Sequence, residues 1–203
     1  KMFRKLAGLT AVAGLFVAGT AAADIAGSAH DFSGELYTNE ICNVCHAPHD
    51  GNLVNNAPLW NHATTTGGAG FTMYASPTID GTIDATPGGV SLLCLSCHDG
   101  TVAVDSFGGV TGADLIVPTD DVYVGIDLSN DHPISITYAG DGDLEVDTAA
   151  SGITGGTTIA ADMLFAGKVE CASCHDVHNA FAQTNLLKKA NTNSALCLTC
   201  HLK

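Results

Sequence analysis

All eight cysteines of this 203-residue chain fall into one repeated pattern, Cys-x-x-Cys-His. The copies are Cys42/Cys45/His46, Cys94/Cys97/His98, Cys171/Cys174/His175 and Cys197/Cys200/His201. This spacing is the attachment signature of a c-type haem: the two thiols add across the vinyl groups, and the next histidine becomes an axial iron ligand. Other uses of paired cysteines fit less well. Zinc needs no histidine directly after the second cysteine, yet every pair here has one. A disulfide framework would be strained at two-residue spacing, and redox Cys-x-x-Cys sites rarely come in fours. The pattern specifies four covalent haems.

Residues 1–23 read as a secretory signal peptide. Lys1, Arg4 and Lys5 form a basic start, Leu6–Gly19 is apolar, and Ala21-Ala22-Ala23 offers a small-residue cleavage site. The apolar run is too short to span a bilayer as a helix, and no cysteine follows the cleavage site to carry a lipid anchor. The expectation is an exported protein, extracellular or at the cell surface, alternatively periplasmic, with no membrane span.

The remaining 180 residues leave 45 per haem. Polypeptide this lean cannot bury enough surface by itself to offset its ordering entropy. The expected fold is mostly coil, with short helices around the haem motifs, a few short β-strands and a haem-dominated core. Charge is one-sided: after residue 23 four lysines face 21 acidic residues, a formal net charge of −17. Such a surface is a poor partner for nucleic acid or anionic membrane and suits cationic partners.

The motifs alternate. CNVCHAPH (42–49) and CASCHDVH (171–178) each carry a second histidine three residues after the first, whereas LCLSCH (93–98) and LCLTCH (196–201) do not. The order suggests a duplicated two-haem unit. Two haem-bearing regions, about 24–110 and 166–203, flank a β- and loop-rich segment, 111–165. Residues 64–90, with Ser76-Pro77 and Thr86-Pro87-Gly88, read as loop. Val122–Ile126 and Ile134–Tyr138 read as short strands. Helix is expected as short turns at the motifs and from about 169 to 187. Residues 141–147 resemble a calcium loop in composition but lack its full spacing, so calcium is not expected.

Nine histidines are available for four irons. His46, His98, His175 and His201 are the proximal ligands. His30, His49, His132 and His178 are distal candidates, and His62, beside Trp60, is the weakest, its other reading being a surface or propionate-bonding histidine. Methionine at Met73 or Met163 is the alternative sixth ligand; it raises the potential, while two histidines keep it low. The histidine surplus favours six-coordinate, low-potential haems. Axial ligands sit on opposite faces of a porphyrin, and residues three apart share a side. His49 is therefore expected on a haem other than that of His46, and His178 on one other than that of His175. Such links would draw porphyrins together.

Five stretches carry a family resemblance: His30-Asp-Phe-Ser33, residues 40–49, Ala57-Pro-Leu-Trp-Asn61, residues 93–109 and Asp131-His-Pro-Ile-Ser135. They resemble multihaem c-type cytochromes of metal-reducing bacteria, in particular the OmcE-like tetrahaem extracellular cytochromes, over most of residues 28–203. The resemblance implies a multihaem cytochrome c fold and head-to-tail polymerisation into filaments. It also implies stacked haems and one histidine donated between subunits. The function expected is extracellular electron transfer rather than catalysis, with other redox proteins or extracellular acceptors as partners. A monomeric tetrahaem shuttle uses the same residues. A multihaem reductase needs an open iron, which the histidine surplus disfavours, and no Cys-x-x-Cys-Lys motif is present.

Overall fold

Short elements joined by hydrogen-bonded turns make up the chain in the computed structural model, which describes residues 25–54 and 57–202. The signal-peptide reading falls on residues 1–23, outside the described residues. Two two-stranded antiparallel sheets form: β1 (Asn52–Val54) with β2 (Ala57–Trp60), and β3 (Ile136–Thr137) with β4 (Lys168–Val169). The helices are α1 (Gly89–His98), α2 (Ile159–Asp162), α3 (Cys171–Cys174) and α4 (Cys197–Cys200). Among the described residues no helix is long and apolar enough to cross a membrane.

The longest helix, α1, ends where the sequence stops it. Asp99 caps it with its N–H on Leu95 O at 3.0 Å, and Gly100 follows at φ 74°. A side chain at Gly100 would collide with Ile116 O and the Tyr123 ring, so the left-handed turn requires glycine there.

A continuous helix over 169–187 does not form. Only the one-turn α3 is helical there; the hydrogen-bonded turn at Thr184–Leu186 has left-handed backbone at Asn185 (φ 57°, ψ 28°). His175 leaves α3 with extended backbone (φ −104°, ψ 147°), and Asn179, Ala182, Asn185 and Leu186 take positive φ, which no helix accommodates. Nor is Val122–Ile126 a strand. Its Val124 and Gly125 amides bond His98 O at 2.8 and 3.1 Å, so the segment wraps the end of α1 instead of joining a ladder. The Ile134–Tyr138 reading holds in part: β3 covers its middle, and Ser135 N–H adds a bond to Val169 O at 2.7 Å. This pairing draws the His132 segment onto the strand that leads into α3.

The apolar core is small and divided. Ile153, Ile159, Met163 and Leu196 form one cluster, with Cys174 and Cys200 against it. Ala57, Trp60 and Leu93 form the other, with Cys45 against it. Met163, read as an alternative iron ligand, is buried in the first. Each cluster is too small to organise a chain of this length, and each abuts motif cysteines. In the calcium-like stretch, Asp141 Oδ1 accepts the amides of Asp143 and Leu144 at 2.8 and 3.1 Å, an Asx turn.

Candidate cofactor-attachment sites

Two cysteines three apart share a face once the chain makes a single helical turn, and all four motifs make that turn. His46, His175 and His201 each donate their backbone N–H to the first cysteine's carbonyl, at 2.8, 3.1 and 2.9 Å. Each histidine then enters an isolated β-bridge: His46 with Trp60, His175 with Leu187, His201 with Leu144. The second motif lies inside α1, with His98 its last residue. Buried Asp99 locks that end: it accepts the Thr65 hydroxyl at 2.5 Å, and the Thr101 amide and hydroxyl at 2.7 and 2.8 Å.

Thiols of successive motifs lie close enough to act on one another electrostatically. Burial pushes Cys97 up to about 12, and the charge of Cys45, from the first motif, adds to it. Cys94 and Cys171, from the second and third motifs, hydrogen-bond to each other; Cys94 is raised by that bond and by burial, and Cys171 is lowered by it. Burial takes Cys174 up to about 11, with Cys200 and Cys197 of the fourth motif contributing. Burial also raises Cys45 to about 11. A raised value keeps a sulfur as thiol rather than thiolate at neutral pH.

Hydrogen bonds set the tautomers of three motif histidines. His46 Nδ1 faces Pro58 O at 2.8 Å, His98 Nδ1 faces Val122 O at 2.8 Å, and His175 Nδ1 faces Asn185 O at 2.9 Å. With Nδ1 donating to a carbonyl, Nε2 is left as the lone-pair nitrogen, the arrangement of a metal-binding imidazole with its outer partner in place. His132 matches it, with Nδ1 3.0 Å from Pro133 O.

Three motif histidines face a histidine from elsewhere in the chain. Ring centres are 6.2 Å apart for His98 and His30, 6.3 Å for His46 and His178, and 6.2 Å for His201 and His132. Imidazoles on opposite sides of one iron stand about 6.3 Å apart, given two bonds of about 2.0 Å and roughly 1.15 Å from each nitrogen to its ring centre. His178 thus lies on His46 and not on His175, its neighbour in sequence. His30 Nδ1 is buried without a hydrogen-bond partner. Burial first, then nearby His98, takes His30 down to about 4, the Val177 main chain opposing, which keeps this imidazole neutral and its lone pair free.

The other two sequence candidates sit differently. His62 is 2 % exposed; Nδ1 faces Ala63 O at 2.7 Å, and Nε2 faces Ala103 O at 3.0 Å and Val104 O at 3.2 Å. It is neither a surface histidine nor one with a ring nitrogen to spare. His49 is exposed, with Nδ1 3.0 Å from Asp50 Oδ2. His175 has no imidazole opposite it among the described residues. The carbonyls that orient the rings carry no sequence signal, since any residue supplies one. Glu170 and Asp99 could have been suspected only as acids bordering a motif.

The chain meets the requirements of a covalent haem: paired thiols brought together by a single turn of backbone, three motif histidines with Nδ1 held and Nε2 left over, and an orphaned ring nitrogen at His30. A family model described as a doubled CXXCH motif matches residues 164–203, spanning the third and fourth motifs. No curated protein matches the chain. The doubled motif marks a multihaem c-type cytochrome-like protein with covalently bound c-type haem.

Proposed function

We propose that this protein transfers electrons through four c-type haems, each iron capped by two imidazoles. The observation that carries the reading is the set of three imidazole pairs at 6.2–6.3 Å, each joining one motif histidine to one from outside the motifs. When bound, the cofactor supplies a one-electron iron couple, and paired imidazoles hold it at low potential. The residues do the rest. Carbonyls of Pro58, Val122 and Asn185 fix the proximal rings. His178, His30 and His132 close the open faces, which excludes substrate and disfavours a reductase. The neighbouring Cys94 and Cys171, and the shared apolar cluster under Cys174 and Cys200, support close spacing of the second with the third and of the third with the fourth attachment sites. In this assignment His62 is structural, tying residues 62–63 to 103–104.

The fourth pair is incomplete within one copy. His175 is exposed with its Nδ1 fixed, and His49 is exposed too. We assign His49 of a second copy to this position, which makes the contact head to tail and the assembly a filament. Exposed Val110, Leu115, Val117, Val122 and Val124 supply apolar surface that such a contact could cover. A monomeric shuttle is the second reading. Intact-mass analysis of the exported protein tests the foundation: four covalent haems are expected, and fewer would end the proposal. Electron microscopy separates filament from shuttle.

A further inference from the structure

A carboxylate is buried where the second and third motifs meet. Glu170 directly precedes Cys171 and is 4 % exposed. Its Oε2 accepts the Ser91 hydroxyl, and the Ser135 hydroxyl at 3.0 Å. Its side chain also accepts the Ser173 amide in a capping box, while its own amide donates to Ser173 Oγ at 2.9 Å. Ser91 Oγ in turn accepts the Cys171 amide at 2.9 Å, and Ser135 Oγ accepts the Gly88 amide at 3.0 Å. One carboxylate therefore ties together α1, which carries Cys94, Cys97 and His98; α3, which carries Cys171 and Cys174; and the segment after His132. All three serines are buried.

Hydrogen bonds, not a cation, satisfy this charge. Among the described residues no cation forms an ion pair with Glu170; Lys168, two residues earlier, is paired with Asp84 at 2.5 Å. An anion buried without a direct ion-pair partner acts strongly on nearby charge, because its field is little screened. It also exacts a desolvation penalty, which natural chains rarely bear without a use. A ferric porphyrin carries one more positive charge than a ferrous one, so the anion favours the oxidised state.

We propose that Glu170 is a positioning residue for electron transfer: it fixes the second attachment site against the third and, as a buried anion, lowers the potentials of those two haems relative to the outer two. The proposal rests on the four-haem reading. Burial raises the Glu170 carboxyl, with the Ser91 and Ser135 hydroxyls, then Lys168, pulling it back down and Asp84 adding to the rise. Protonation would cancel the effect, so the two potentials rise as pH falls.

The test is potentiometric titration of E170Q against the wild type, after haem counting by intact mass. Fewer than four haems in the wild type overturns the parent reading alone. With four haems in both proteins, E170Q is expected to raise two of the four midpoints by about tenfold in the reduced-to-oxidised ratio, about 59 mV for a one-electron couple. E170D, which keeps the charge, should leave them near their native values. Four unmoved potentials in a fully loaded E170Q overturn the proposal. Where E170Q fails to load, S135A decides. It removes one donor and keeps the carboxyl, so the same two potentials should rise at acidic pH and return to wild-type values at alkaline pH. No difference from wild type at any pH overturns the proposal equally.

Discussion

The imidazoles of His178 and His46, 132 positions apart in sequence, lie nearly parallel, 14° between planes and 6.3 Å between centres. The separation suits one iron between them, and the pairing links the first motif to the segment that follows the third. His178→Ala is therefore expected to leave the first iron with one imidazole. A high-spin component of about one haem in four should appear in the oxidised spectrum, with one equivalent of carbon monoxide bound on reduction. His62→Ala should give neither signal, because both His62 nitrogens are turned to main-chain carbonyls. A spectrum unchanged by the loss of His178 would remove it from the ligand set.

The same relation separates what a sequence can tell from what it cannot. Cysteine spacing marks the attachment sites because the covalent chemistry is local. The expectation that His178 and His175 share a side assumes a helical turn, whereas His175 is extended; that the His178 ring nonetheless stands against His46 comes from packing. That His46 receives it depends on how α1, the β1–β2 hairpin and the third motif pack, and no periodicity encodes this. The expected helix over 169–187 fails for a related reason. His175 leaves α3 with extended backbone, its Nδ1 facing the Asn185 carbonyl. Packing overrides propensity. His62 looked like a marginal ligand because type and neighbours say nothing about which carbonyls surround a ring.

Replacing Cys94 and Cys97 together by alanine is expected to remove one haem and to interrupt conduction in the middle. Cys94 hydrogen-bonds to Cys171, and Cys97 is near enough to Cys45 to feel its charge, so the second site is placed between the first and the third. Intact mass should fall by one haem. Electron exchange between the two ends, followed by rapid-mixing reduction, should slow by orders of magnitude while the outer haems keep their spectra.

Asp105 predicts an acid-sensitive loop. Its Oδ1 accepts the amides of Ala113 and Asp114 at 2.8 and 2.9 Å, and the Asp114 amide, the largest cause, holds the carboxyl below its ordinary value. A depressed carboxyl stabilises the fold above its unfolded value and loses that contribution as pH falls through the folded one. Thermal melts of D105N should therefore lie below wild type at neutral pH, and the two should converge as the pH falls below the ordinary carboxylate range. A gap that persists in acid would mean that the loop does not depend on the charge.

Ile159 is fully buried against Ile153, Met163 and Leu196, in the cluster that also touches Cys174 and Cys200. Ile159→Ala should cost about 2–5 kcal/mol, the range for large-to-small changes in a packed core. Loading at the third and fourth motifs should suffer before the other two, because their thiols rest on this cluster. Denaturant unfolding of the loaded protein gives the first quantity, and peptide mapping of attached haem gives the second.

His49→Ala tests the assembly. The His49 side chain is 83 % exposed and pairs with its neighbour Asp50, so its loss should leave the fold of a single copy intact. Removing it has no effect on iron coordination if the shuttle reading is right and His49 is merely a surface residue. Under the head-to-tail assignment it leaves His175 without an opposing imidazole, so one haem in four becomes high-spin and filaments give way to single copies. The two signals must appear together, because one bond accounts for both. Filaments that persist with a fully low-spin spectrum would show that another residue completes the His175 site.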